Sequence, residues 1–151
     1  MSRALVVVEE PSREQHLLER ARAFAVGEDT EIVVLALATP DEYEAVEETL
    51  AEIGRIEHTT YDVDDIGEGV FGDVADVAHD VLAPAVEYEL HTAVQETGEQ
   101  ADAILDLATR TGCDHVFLSG RRRSPTGKAV FGDRTQRVIL TFDGYVTVSM
   151  S

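Results

Sequence analysis

Short, nearly continuous apolar runs alternate with segments of helical period along this chain, and no other feature constrains its fold as strongly. Leu5 to Val8 and Ile32 to Ala38 carry no charged residue, the pattern of strands buried on both faces. After the first run, Pro11 and Ser12 punctuate the chain, with Ser12 read as an N-cap. Leu17, Leu18, Ala21 and Phe24 then recur at helical spacing, and Gly27 is read as the stop. Tyr43, Val46, Leu50 and Ile53 predict a second helix ending at Gly54. Asp62, Asp64, Asp65, Gly67, Gly69 and Gly72 mark residues 55–72 as a loop. Val74, Val77, Ala78, Val81 and Leu82 predict another helix, closed by Pro84. Val86, Tyr88, Leu90, Thr92 and Val94 alternate with other residues, as in a half-exposed edge strand. Ala101, Ile104, Leu105 and Ala108 predict a helix stopped by Gly112. His115 to Ser119 is read as the fourth strand, Val138 to Leu140 as part of a helix, and Tyr145 to Met150 as the last strand. The expectation is one α/β domain over residues 1–151: a doubly wound, five-stranded, mainly parallel sheet with helices on both faces.

Charge narrows the partners. Thirty acidic and 12 basic side chains leave a formal net charge of −18. Lys128 is the only lysine. Abundant carboxylates with almost no lysine suit the surface of an extreme halophile's protein, where salt screens their repulsion. Such a surface argues against nucleic acid as a partner, because its binders cluster positive charge. Cys113 is the only cysteine, so no internal disulfide forms; it is read as a small buried hydrophobe just before a strand. The first ten residues lack the apolar length of a signal peptide, and no run approaches a membrane span. A soluble cytoplasmic protein without a membrane partner is expected.

The stretch S-G-R-R-R-S-P-T-G-K-A-V-F-G-D, residues 119–133, follows a strand and leads into a helix. Such a junction gathers free backbone N–H groups and the positive end of a helix dipole, a geometry suited to anions. Arg121, Arg122 and Arg123 make a local basic patch in an acidic chain. They are suited to phosphate and equally to internal ion pairs. A P-loop reading of Gly127 and Lys128 fails, because Arg122 and Ala129 stand where glycine and a hydroxyl residue belong.

Together with L-V-V-V-E-E-P-S at the start and T-G-E-Q-A-D-A-I-L-D-L-A before the fourth strand, this stretch resembles the universal stress protein family. The resemblance covers nearly the whole chain. It implies an adenine nucleotide alpha hydrolase-like fold, a stress or regulatory role, and a homodimer with an unidentified regulatory partner. It also implies that the first and fourth strands are neighbours. The family's ATP-binding branch carries G-x2-G-x9-G-[S/T]. Here Ser119 and Arg122 stand at the leading glycines, Gly132 keeps the last, and Asp133 takes the hydroxyl position. The loop is therefore degenerate. Side chains at 119 and 122 obstruct backbone approach to phosphate, and the Asp133 carboxylate repels it or serves as a helix N-cap.

Carried over residue by residue, the resemblance implies a nucleotide site, for ATP or AMP, at Val7, Glu9, Leu37, Leu118, Ser119, Gly120, Arg121, Arg122, Gly132, Asp133 and Arg134. Glu9 matches the Asp that contacts the adenine end, and serves equally well as a strand-end carboxylate capping the next helix. Leu37 matches an apolar residue beside adenine, or is plain core. The implied dimer contacts are Tyr145, Val146, Thr147, Val148, Ser149 and Met150.

Other patterns are weaker. Residues 62–73 faintly resemble a calcium loop, but Ile66 stands where a ligand is needed; a solvated acidic loop is the reading. His16, His58, His79, His91 and His115 have no metal-ligand spacing, with His16 and His79 read as helix-surface residues. No G-x-S-x-G elbow, placed general base or metal-binding pair is present, so turnover is not expected.

Overall fold

The computed structural model describes residues 3–120 and 132–150. Its strands are β1 (Arg3–Val8), β2 (Ile32–Ala38), β3 (Tyr88–Val94), β4 (Cys113–Ser119) and β5 (Tyr145–Ser149). Its helices are α1 (Pro11–Glu28), α2 (Pro40–Glu57), α3 (Val63–Leu82), α4 (Gln100–Thr111) and α5 (Asp133–Thr141), with a short 3-10 turn at Thr97–Glu99. The strands lie in the order β3-β2-β1-β4-β5, and every pairing is parallel.

The central strands alternate side chains between two apolar clusters, as the period of a strand requires. Val6, Val8, Val34 and Ala36 pack with Leu18 and Ala21 of α1 and Phe71 and Ala78 of α3. Leu5, Val7, Leu35 and Leu37 pack with Ile104 and Leu107 of α4 and Val138 of α5. Both faces are thus covered, and β2 and the Ala4–Val8 part of β1 are fully apolar because neither meets water. Helix α2 lies outside this sandwich against α3, and Gly54 is its only buried residue.

The expected elements all form, with revised ends. Strand β1 begins at Arg3, and β4 begins at Cys113, which lies inside the strand and is buried. Ser12 does not cap α1. Glu10 is the N-cap and Pro11 the first helical residue, a position where proline's fixed φ suits the turn. Gly27 lies within α1, whose end is set by Asp29 in the left-handed region at φ 52°. Aspartate tolerates that region better than most residues. Helix α2 likewise passes Gly54 and ends at Glu57, with His58 at φ 58°. Gly54 serves close approach instead: a Cβ there would meet the Thr59 carbonyl oxygen at 2.6 Å.

The largest revision is the segment read as an acidic loop. Residues 63–72 are helical and form the first half of α3. Asp62 and Asp65 make a capping box, each side chain accepting the other's backbone N–H at 3.0 Å. Ile66 and Phe71 are buried. Gly69 lets α2 approach, since a Cβ there would meet Val46 Cγ1 at 2.7 Å. Capping and burial outweigh the roughly 1 kcal/mol that each helical glycine costs. Val86, expected in the edge strand, precedes it; its N–H donates to the Leu82 carbonyl at 2.9 Å, and its side chain is buried.

β1 has β2 on one side and β4 on the other, so the strand order reverses between β1 and β4. That is where an open α/β sheet leaves a crevice beyond its strand ends.

The cleft at the carboxyl ends of β1 and β4

Four chain segments converge on this crevice. Glu9 and Glu10 leave β1, Ser119 ends β4, Gln100 opens α4, and Gly132 to Thr135 start α5. Thr39 and Glu42 at the start of α2 and Thr97 and Gly98 complete the described wall. The cleft measures about 440 Å³, within the size range of small-molecule sites.

The side chains here form two networks. In the first, Glu14 is buried at 3% exposure. Its Oε1 accepts the Glu9 N–H at 2.7 Å and the Glu10 N–H at 2.8 Å, and its Oε2 accepts the Ser119 hydroxyl at 3.0 Å. One carboxylate thereby ties the exit of β1 to the first turn of α1 and the end of β4. Burial pushes the Glu14 carboxyl above its ordinary value, while the two backbone N–H groups and the Ser119 hydroxyl pull it back. Glu9 does not cap α1, which has no side-chain cap bond; Glu14 instead binds the N–H groups of Glu9 and Glu10, at and just before the N-cap.

In the second network, Arg134 Nη1 donates to Glu9 Oε1 and, at 2.9 Å, to Gln100 Oε1. Gln100 is buried, and its Nε2 donates to the Gln95 carbonyl at 3.4 Å. Only 14% of the Arg134 side chain and 25% of that of Glu9 are exposed. Nearby, the Thr135 hydroxyl donates to the Ser119 carbonyl at 3.3 Å.

Of the residues carried over from the sequence, Glu9, Ser119, Gly132, Asp133 and Arg134 line the cleft together. Val7, Leu37 and Leu118 are buried in the cluster under α4 and α5 rather than in the lining. Gly120 is buried, and its N–H donates to the Ser149 carbonyl at 2.7 Å. Arg121 and Arg122 lie outside the described residues. Asp133 is not the N-cap of α5: Gly132 holds that position, with Asp133 the first helical residue and exposed.

Glu10, Arg13, Glu14, Thr39, Glu42 and Gln100 were not singled out from sequence. Glu14 and Gln100 look like ordinary helical polar residues there; the only local cue was a carboxylate in the first turn of α1. A larger cavity, about 650 Å³, lies between the end of α2 and residues 59–61. It is a surface groove beside the α2–α3 connection, away from the strand ends. Among the described residues, no group of three or more His, Cys, Asp or Glu could hold a metal ion. No described helix is long and apolar enough to cross a membrane.

The Universal stress protein family matches residues 1–149. This chain belongs to that family. Among solved structures, it is similar to a universal stress protein from Archaeoglobus fulgidus, with 20% identity, a TM-score of 0.64, and 98% of this chain and 97% of that one covered. A universal stress protein in complex with cAMP is 14% identical, with a TM-score of 0.61 and coverage of 99% and 96%. One from Archaeoglobus fulgidus in complex with dAMP is 15% identical, with a TM-score of 0.58 and coverage of 98% and 96%. At these identities the likeness shows the fold alone. No curated protein matches the chain. The universal stress protein fold accounts for the neighbouring β1 and β4, the switch point between them, and helices on both faces.

Proposed function

We propose that this universal stress protein is a homodimeric regulatory module without turnover, whose cleft disfavours a triphosphate. One observation carries this reading. The described cleft presents Glu9, Glu10, Glu42 and Asp133, while the guanidinium of Arg134 is already bound by Glu9. Phosphates entering there would meet like charge from these carboxylates. The dimer is proposed through the outer edge of β5, from Tyr145 to Met150, as two copies paired antiparallel about a two-fold axis. The −18 surface fits a halophile's cytoplasm, where high salt screens self-repulsion.

A second reading has one observation in its favour: fold relatives bind cAMP and dAMP. Under it, the cleft takes ATP or AMP with help from Arg121 and Arg122. Mass spectrometry of ligand released from purified, denatured protein separates the two. Co-purified ATP would overturn the first reading, whereas protein free of nucleotide triphosphate is its expected result.

A further inference from the structure

We propose that Glu9 is a specificity-determining residue that withholds Arg134 from phosphate, so that the cleft takes an uncharged donor-rich ligand, a nucleoside rather than its phosphates. The inference deepens the proposed reading of the same cleft and rests on it. Arg134 is the natural phosphate ligand here by position. It sits in the first turn of α5, beside the end of β4, with its side chain directed toward the cleft residues Glu9 and Gln100. A free guanidinium there would reinforce the helix dipole in attracting an anion.

The guanidinium is not free. Glu9 supplies a carboxylate and Gln100 an amide oxygen to the same Nη1. Both partners of the ion pair are mostly shielded from water, so separating them would expose a charge to a poorly solvating site. A phosphate must either displace Glu9 from Nη1 or share the guanidinium with it through the remaining N–H groups. In either case the Glu9 carboxylate would stand beside that phosphate, in a cleft also lined by Glu10 and Glu42. A hydroxyl or amino group meets the opposite situation, because the wall offers it carboxylate acceptors at Glu10 and Asp133. Ribose hydroxyls and an exocyclic amine are donors of that kind.

The test is calorimetric titration of adenosine, AMP and ATP, at one salt concentration, into wild type and three variants. Wild type should bind adenosine most tightly and ATP least. Glu9→Gln should raise AMP affinity roughly tenfold relative to adenosine, the scale of one hydrogen bond between charged groups. Glu10→Gln removes the same charge but frees no guanidinium, and should gain less. Adding Arg134→Gln to Glu9→Gln should abolish the gain. Equal gains in the Glu9 and Glu10 variants, or a gain that survives loss of Arg134, would overturn the inference. So would wild type preferring AMP to adenosine, or Glu9→Gln binding none of the three. Tight ATP binding by wild type would instead sink the proposed function, so the two failures are distinguishable.

Discussion

The two edges of the sheet are built differently. The outer strand β3 carries charge: Glu89 meets Arg3 Nη1 at 3.1 Å and His91 Nε2 at 3.2 Å. Strand β5, at the other edge, has the sequence Y-V-T-V-S and no charged side chain. Tyr145 is 70% exposed, and Thr147 contacts His115 Nε2 at 2.8 Å. Charged residues protect an exposed edge from pairing with another chain, because pairing would desolvate them. By that logic β3 is guarded by charge, whereas β5 carries no such guard of its own. Two strands of similar length in one sheet thus make opposite statements about partners.

The strongest way to break this contrast is Val148→Pro. It removes a backbone N–H from β5 and cannot be accommodated within a paired strand. If the proposed dimer forms through β5, light scattering should show a shift to monomer, with about 1 kcal/mol of stability lost if the N–H served β4 instead. A dimer that survives would place the interface elsewhere. Removing the guard from the other edge is the converse change. Glu89→Val should create association through β3 beyond the dimer, visible as concentration-dependent growth in sedimentation velocity. An unchanged sedimentation pattern would show that charge is not what protects that edge.

Guarding β5 with Tyr145→Lys should weaken the dimer about tenfold, the scale of an interface tyrosine. Sedimentation equilibrium measures this, and an unchanged dissociation constant would place Tyr145 outside the interface.

The smallest effect is a difference in acid response. His115 stacks on Phe117 at 4.4 Å and lies 4.6 Å from the Phe24 ring. Burial lowers its pKa below the ordinary 6.5, only partly offset by Asp114. Its protonation therefore favours the unfolded chain, and stability around β4 and β5 should decline as pH falls below about 6.5. At the opposite edge, His91 and then Arg3 hold the Glu89 carboxyl below its ordinary 4.5. That contribution should persist until the pH falls below about 4.5. Hydrogen exchange at stepped pH should show β5 amides losing protection before those of β3; the reverse order would contradict the assignment.

Much of the sheet was legible because its signals are local. Uninterrupted apolar runs reveal strands that meet no water, and Ile32–Ala38 matches its strand end for end. Gly112 closes α4 at φ 71°, where only glycine is unstrained. The misread beginning of α3 shows the limit of the same reasoning. Three glycines and three aspartates between 62 and 72 carry loop propensity, yet Asp62 and Asp65 cap a helix whose apolar side packs on its neighbours. The cleft divides in the same way. Glu9, Ser119 and Gly132 were reached through the resemblance to the universal stress protein family. Glu14 and Gln100 were not, because nothing beside them in the chain marks them.

By itself, the sequence determined that β1 and β2 are interior strands, that the crossovers between strands are helical, and that the surface is strongly acidic. The tertiary structure decided which charges meet. Glu14 reaches Ser119 across 105 residues, and Arg134 reaches Glu9 across 125. Such contacts exist only once the sheet has set β1 beside β4 and brought α5 back over their ends. Helix period and capping act over a few residues, whereas these pairings depend on a strand order that no local pattern specifies.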